Sequence, residues 1–188
     1  MHEVELKAIL KNPEQTKQRL LARDPVSFSQ LKYEDFYFDR DNSLDKEEKE
    51  LRLRIKTNLG SGVSKTLLTF KDSPFDAKSK SKPEFETSVE DFKNTREILL
   101  RLGYSVTASY TKNCEIFNFD YHGCEMEVAL VTINGLENTY LEIETLTEDK
   151  QDIDRLFKLL HGFLSRIGIT EADLTSAYYV DALRKKDW

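Results

Sequence analysis

The feature that most constrains this chain is a set of strand-like segments in which charged and apolar residues alternate, with the charges sorted by sign. Side chains two apart on a strand share a face. In the first segment Glu3, Glu5 and Lys7 share one face, while Val4, Leu6 and Ala8 share the other. Arg52, Arg54 and Lys56 oppose Leu51, Leu53 and Ile55, and Thr69 and Lys71 oppose Leu68 and Phe70. Lys82, Glu84 and Glu86 alternate around Phe85, and Glu142 and Glu144 face away from Leu141 and Ile143. For any one of these strands, an ordinary antiparallel sheet with one wet face is explanation enough. A solubilising face mixes signs, however, because like charges on one wall repel. Here Arg52 and Arg54 share their face with a single acid, Glu50, and Glu142 and Glu144 share theirs with no base. About eight antiparallel strands remove their exposed edges by closing on themselves. With the apolar faces turned outward under helices, the charged faces line the inside. Unpaired charges in a dry core would each cost several kcal/mol. The expected interior is therefore a hydrated tunnel with matching ligands: hard cations for the carboxylates and a compact polyanion for the bases. The expected fold class is α+β, mainly antiparallel β, an eight-stranded closed β-barrel with outer helices.

Helices and turns punctuate this pattern. Asn12 as N-cap and Pro13 at the first helical position open a helix that runs to about Arg23. The charged stretch Arg40–Glu48 reads as an exposed loop, Leu59–Gly62 as a hairpin turn, and Asp72–Ser81 as a mobile loop. Ser88-Val89-Glu90-Asp91 reads as a capping box for a helix that stops at Gly103, and Asp120–Gly123 as a second turn. Apolar residues from Ile153 to Ile167 recur at helical spacing, and a last helix is expected over Thr175–Lys185. No interior boundary interrupts residues 1–188, so one domain is expected. Lys plus Arg total 28 against 34 for Asp plus Glu, a net charge of −6, which argues against holding nucleic acid by overall charge. No apolar run approaches the ~20 residues of a membrane span, and Met1-His2-Glu3 resembles no signal peptide. Cys114 and Cys124 form no Cys-x-x-Cys pair and read as two reduced thiols. A cytoplasmic protein is the expectation.

Glu3-Val4-Glu5-Leu6-Lys7 resembles the Glu-x-Glu-x-Lys signature of the CYTH superfamily, the triphosphate tunnel metalloenzymes. Further segments follow that family's order. Phe36-Tyr37-Phe38-Asp39 is similar to its aromatic-Asp strand end, Leu51-Arg52-Leu53-Arg54 to its Leu-Arg-x-Arg, and Leu68-Thr69-Phe70-Lys71 to its Leu-Thr-x-Lys. Lys80-Ser81-Lys82-Pro83-Glu84-Phe85-Glu86 resembles its Lys-x-Arg-x-Glu-x-Glu, with Lys82 in place of Arg. Leu141-Glu142-Ile143-Glu144 resembles its closing Glu-Ile-Glu, and Ser176–Leu183 its C-terminal Ser-x-Tyr helix.

The resemblance implies a tunnel that binds a triphosphate with Mg²⁺ or Mn²⁺. Carried over by position, Arg52, Arg54, Lys71, Lys112 and Lys82 would grip phosphate oxygens, Arg as a two-pronged donor and Lys as a point charge. Glu3, Glu5, Glu142 and Glu144 would hold the cation, and Glu5, Lys7 and Lys71 would take part in the chemistry. For Lys7, an internal ion pair with the adjacent acids competes with substrate contact, and Glu84 and Glu86 either bind metal or pair with nearby bases. Two departures weaken the match. The family's Lys-x-Arg appears as Lys112-Asn113-Cys114, and an expected metal-binding Asp appears as Val131. Glu127 lies on Val131's face, but four residues along a strand is about 13 Å, too far to replace it directly. The resemblance implies hydrolysis of inorganic triphosphate, a nucleoside triphosphate or thiamine triphosphate. The alternatives are a class IV adenylate cyclase, which releases pyrophosphate from ATP, and a non-catalytic polyanion-binding module. A small triphosphate-bearing substrate is the expected partner, without nucleic acid or membrane, and a homodimer is allowed.

Overall fold

A computed structural model describes residues 2–73 and 82–184. The segment expected to be a mobile loop therefore lies largely outside the described residues, as do Lys80, Ser81 and Lys185. Eight strands form one sheet: β1 (His2–Ile9), β2 (Ser27–Asp39), β3 (Glu50–Asn58), β4 (Ser64–Lys71), β5 (Glu84–Val89), β6 (Ser105–Tyr121), β7 (Cys124–Ile133) and β8 (Thr139–Thr147). Their order is β1-β8-β7-β6-β2-β3-β4-β5. The eight antiparallel strands and the α+β class are as expected. Closure is only partial, because the order ends on β1 and β5 and no ladder joins these two among the described residues. Among the described residues five α-helices accompany the sheet: α1 (Pro13–Leu21), α2 (Ser43–Lys46), α3 (Phe92–Arg101), α4 (Ile153–Arg166) and α5 (Tyr179–Arg184). No helix among the described residues is long and apolar enough to cross a membrane.

The chain forms two compact units, one from Met1–Gln30 with Asn113–Trp188 and the other from Leu31–Lys112. In the first, β1 pairs with β8 and β8 with β7, both antiparallel. Their apolar faces supply Val4, Ala8, Val128, Leu141 and Ile143 to a core completed by Leu20 of α1 and Leu156, Leu160, Phe163 and Leu164 of α4. Burying such a side chain contributes about 1.5–3 kcal/mol each, so the amphipathic stripe of α4 fixes which face of these strands turns outward. The opposite faces are left to the charged residues. The end of α4 is closed by Arg19 and Arg23, whose guanidiniums donate to the carbonyls of Ile167 and Arg166 at 2.8 Å each. Gly168 sits at φ +80°, a left-handed backbone that strains any residue with a Cβ, and a Cβ there would also push aside the Arg19 guanidinium. In the second unit β3 pairs with β2 and β4, and β4 with β5. Its core gathers Phe38, Leu53 and Leu99 under Phe36 and Phe92, whose rings lie 5.0 Å apart.

Three local expectations are corrected. Arg40–Glu48 is not a plain loop: it holds the single-turn α2, ordered from outside the segment by Asp39. The Asp39 carboxylate accepts the N–H groups of Arg40, Leu44 and Asp45 at 2.6, 3.1 and 3.0 Å. Ser88 does not cap α3. It belongs to β5, and the cap is Asp91, whose carboxylate accepts from Asn94 N at 2.9 Å. The last helix begins at Tyr179 rather than Thr175, because the residues before it pair with β1: Leu174 bridges to Ala8, and Thr175 N donates to Lys7 O at 2.9 Å. The α1 cap is as expected, with Asn12 Oδ1 accepting from Gln15 N at 3.0 Å and Pro13 following.

Candidate functional site

The predicted residues fall into two sets, one on each unit. On the first unit, register builds an acidic wall. Glu5 of β1 stands opposite Glu144 of β8, which stands opposite Glu127 of β7, so three carboxylates form one row across three strands. The next row reads Lys7, Glu142 and Ala129, and the one after it sets Val131 opposite Tyr140. Glu3 lies two residues before Glu5 on the same face. Burial, reinforced by the carboxylates of Glu3, Glu5, Glu127 and Glu142, pushes the Glu144 carboxyl up to about 8. The second row is covered by Tyr179. Its hydroxyl donates to Glu142 Oε1 at 2.6 Å, its ring centroid lies 4.4 Å from Lys7 Nζ, and Tyr140 meets it edge-on at 4.9 Å. Register and the shared face of β1 thus bring Glu3, Glu5, Lys7, Glu142 and Glu144 onto one wall of this unit.

Along β7, Glu127 stands about 13 Å from Val131, but across the ladder it is Glu144's neighbour. The signal was present in the alternation of β7, where Glu127, Ala129 and Val131 share a face. Val131 itself is fully buried. Among the described residues, no three acids, histidines or cysteines already stand gathered as a ligand shell. The donor chemistry nonetheless fits a hard divalent cation. Glu5, Glu144 and Glu127 stand in register in one row and offer oxygen donors, and burial together with the neighbouring carboxylates raises the Glu144 pKa, a cost that such an ion would relieve.

On the second unit, β3 carries the basic wall. Arg54 faces Asp35 of β2 and holds it with two parallel bonds, Nε to Oδ1 at 2.6 Å and Nη2 to Oδ2 at 2.7 Å. The Asp35 side chain is wholly buried, and a buried carboxylate of this kind persists only when paired. The same guanidinium lies over the Tyr33 ring at 4.4 Å, with Lys56 at 5.5 Å and Lys112 at 5.8 Å from that ring. Arg52 is flanked by Tyr37 and Thr69 across the ladders. Burial pulls its pKa down, but the adjacent Tyr37 hydroxyl and the acids Glu50, Asp35 and Glu84 outweigh this and raise it. Its Nε is buried and, among the described residues, has no hydrogen-bond partner. Lys71 pairs with Glu84 at 3.1 Å, and Glu86 accepts from Thr69 Oγ1 at 2.9 Å, so both of these acids engage their neighbours on β4. The Tyr37 and Tyr110 hydroxyls meet at 2.7 Å, and burial raises the pKa of both. Lys82 is placed differently from the other bases: its ammonium donates to the Glu48 carbonyl beside α2. Cys114 is buried and, by alternation, shares a face with Lys112. Asp35 is the residue on this unit that sequence reasoning missed, since it enters from the adjacent strand rather than along β3.

The sequence profile of the CYTH domain family matches residues 1–179. A Methanocaldococcus jannaschii protein named for adenylate cyclase activity is 25% identical over 150 residues, 79% of each chain. Among solved structures, a Pyrococcus horikoshii protein superimposes with a TM-score of 0.81 at 27% identity, over 98% of this chain and 99% of its own. An adenylyl-cyclase-type protein of Hippeastrum, described as having a dominant triphosphatase activity, shares the fold with a TM-score of 0.67 at 19% identity, over 98% and 96% of the two chains. With a match that begins one residue before β1 and reaches the first residue of α5, this chain belongs to the CYTH domain family.

Proposed function

We propose that the chain is a divalent-metal-dependent enzyme that hydrolyses a compact triphosphate. The observation that carries this reading is Arg52: a guanidinium kept charged while buried, with Nε unsatisfied among the described residues and acids on its flanks. A buried donor left without an acceptor costs about 1–3 kcal/mol, and a phosphate oxygen is the acceptor that such a group would bind. Arg54 is held to Asp35 through two of its nitrogens, so it acts as a fixed positive charge with its remaining N–H groups directed to phosphate. Lys71 and Lys112 add point charges, and Lys82, if released from the Glu48 carbonyl, adds another. Glu3, Glu5, Glu142 and Glu144, with Glu127 beside them, would hold Mg²⁺ or Mn²⁺. The ion would supply charge neutralisation for the phosphates. Glu5, exposed at the end of its row, orients the attacking water and receives its proton at the carboxylate. Lys7 and Lys71 offset the charge that develops on the leaving group.

A second reading, cyclisation of ATP with release of pyrophosphate, is supported by the name of the archaeal relative. Hydrolysis is preferred because the Hippeastrum protein shows that this fold accommodates it and because no segment here reads as an adenine site. Phosphorus NMR of products from ATP and from inorganic triphosphate, each with Mg²⁺ and with Mn²⁺, tests the proposal. Orthophosphate is the expected product from both substrates. Cyclic AMP with pyrophosphate supports the cyclase, and binding by calorimetry without either product supports a polyanion-binding module.

A further inference from the structure

The geometry points to Tyr179 as a positioning residue that fixes the Glu142 carboxylate and the Lys7 ammonium; this rests on the reading that Glu142 is a metal ligand. The tyrosine of the Ser-x-Tyr pattern is Tyr178, which is 45% exposed, whereas its neighbour Tyr179 is buried at 8%. The chain is built to deliver that residue. After α4, Thr170 and Asp173 cap one helical turn reciprocally, and Asp173 accepts from Lys11 at 2.6 Å. Leu174 then bridges to Ala8, and Thr175 N donates to Lys7 O. The backbone is thus fastened to β1 at the level of the second row, a few residues before α5 begins.

Three contacts then converge on one ring. The phenol donates to Glu142 Oε1 at 2.6 Å, a charge-assisted length. The ring face lies under Lys7 Nζ at 4.4 Å, within cation–π range. Tyr140 packs edge-on at 4.9 Å and holds the ring in plane. On its other side Glu142 faces Ala129, whose methyl group offers no hydrogen bond. Tyr179 thus brings a hydroxyl to this carboxylate from outside the strand ladder. A hydrogen bond to a ligating carboxylate of this kind governs metal affinity by about 10–100-fold.

The test uses the full chain without substrate, titrated with Mn²⁺ and followed by electron paramagnetic resonance. The variants are Tyr179→Phe, Tyr179→Leu, Glu142→Gln and the double variant Tyr179→Phe with Glu142→Gln, with thermal melts confirming that each is folded. Tyr179→Phe keeps the ring and loses only the hydroxyl, so it should weaken Mn²⁺ binding by about tenfold. In the Glu142→Gln background the same change should have an effect of less than about twofold, because it acts through Glu142. Tyr179→Leu should in addition weaken metal-free binding of inorganic triphosphate by calorimetry, because Lys7 loses its platform, while Tyr179→Phe leaves that binding unchanged. An equal effect of Tyr179→Phe in both backgrounds, or no effect on Mn²⁺ binding in the parent, overturns the inference while the metal reading stands. If Glu142→Gln itself leaves Mn²⁺ binding unchanged, the metal reading and this inference fall together.

Discussion

A carboxyl whose pKa rises on folding favours its protonated form in the native state. Glu144 moves from 4.5 to about 8, through burial first and then the four surrounding acids. Its contribution to stability is therefore fully present below the unfolded value and is lost as pH rises through about 8. Metal-free Glu144→Gln should melt higher than the parent at pH 8, and the gap should shrink toward pH 4.5; calorimetric melts in chelator measure it, and a pH-independent gap contradicts the assignment. Asp35 presents the opposite case, a buried acid fully engaged by Arg54. Asp35→Asn keeps the shape but strands the guanidinium, and should cost about 3 kcal/mol in urea unfolding. Arg52→Ala should weaken triphosphate binding by about tenfold or more, from the loss of a charge-assisted bond of ~1.5–3 kcal/mol, and by more than Lys56→Ala does. Alternation along single strands made Glu3, Glu5, Arg52, Arg54, Glu142 and Glu144 legible in the sequence. Asp35 was not legible, and Glu127, visible in the alternation of β7, takes its significance only from Glu144 opposite it, because register is a property of pairs of strands.

At the scale of elements, strands were the legible part. Alternation assigns strands to Lys49–Asn58, Ser64–Lys71, Cys124–Ile133 and Tyr140–Leu146; β4 and β7 occupy those residues, β3 starts one residue later, and β8 extends one residue further at each end. A strand carries its signal in its own side chains, whereas the misread segments are ordered by groups outside themselves. Arg40–Glu48 is poor in apolar residues and would stay loose but for Asp39, which ends the strand before it. Four backbone bonds, from Arg40, Ser43, Leu44 and Asp45, overcome the burial that would raise the Asp39 pKa, and lower it. Its stabilisation is accordingly present above the unfolded value of 3.8 and lost as pH falls through the lowered one. Asp39→Ala should speed hydrogen exchange at Leu44 and Asp45 and cost about 1–3 kcal/mol, while α1 and α4 keep their protection. The late start of α5 has the same kind of cause: Leu174 and Thr175 are committed to β1 before helix can begin.

For the whole molecule, the sequence showed a continuous chain but not its division into a contiguous unit and one assembled from both ends. The unit Leu31–Lys112 is one continuous stretch of chain, while the other must join Met1–Gln30 to Asn113–Trp188. In refolding, pulse-labelled amides of β3 and β4 should gain protection before those of β1 and β8, because nearby strands meet before distant ones. Simultaneous protection would contradict that order. The pairing of Ile9 with Tyr140 has a counterpart during synthesis. At ordinary translation speeds β8 follows β1 out of the ribosome by on the order of ten seconds. For that interval the nascent β1 has no partner, and its open edge is a template for another unfinished copy. Glu3, Glu5 and Lys7, read so far as binding groups, then serve as gatekeepers, since charges on an unpaired strand oppose edge-to-edge aggregation.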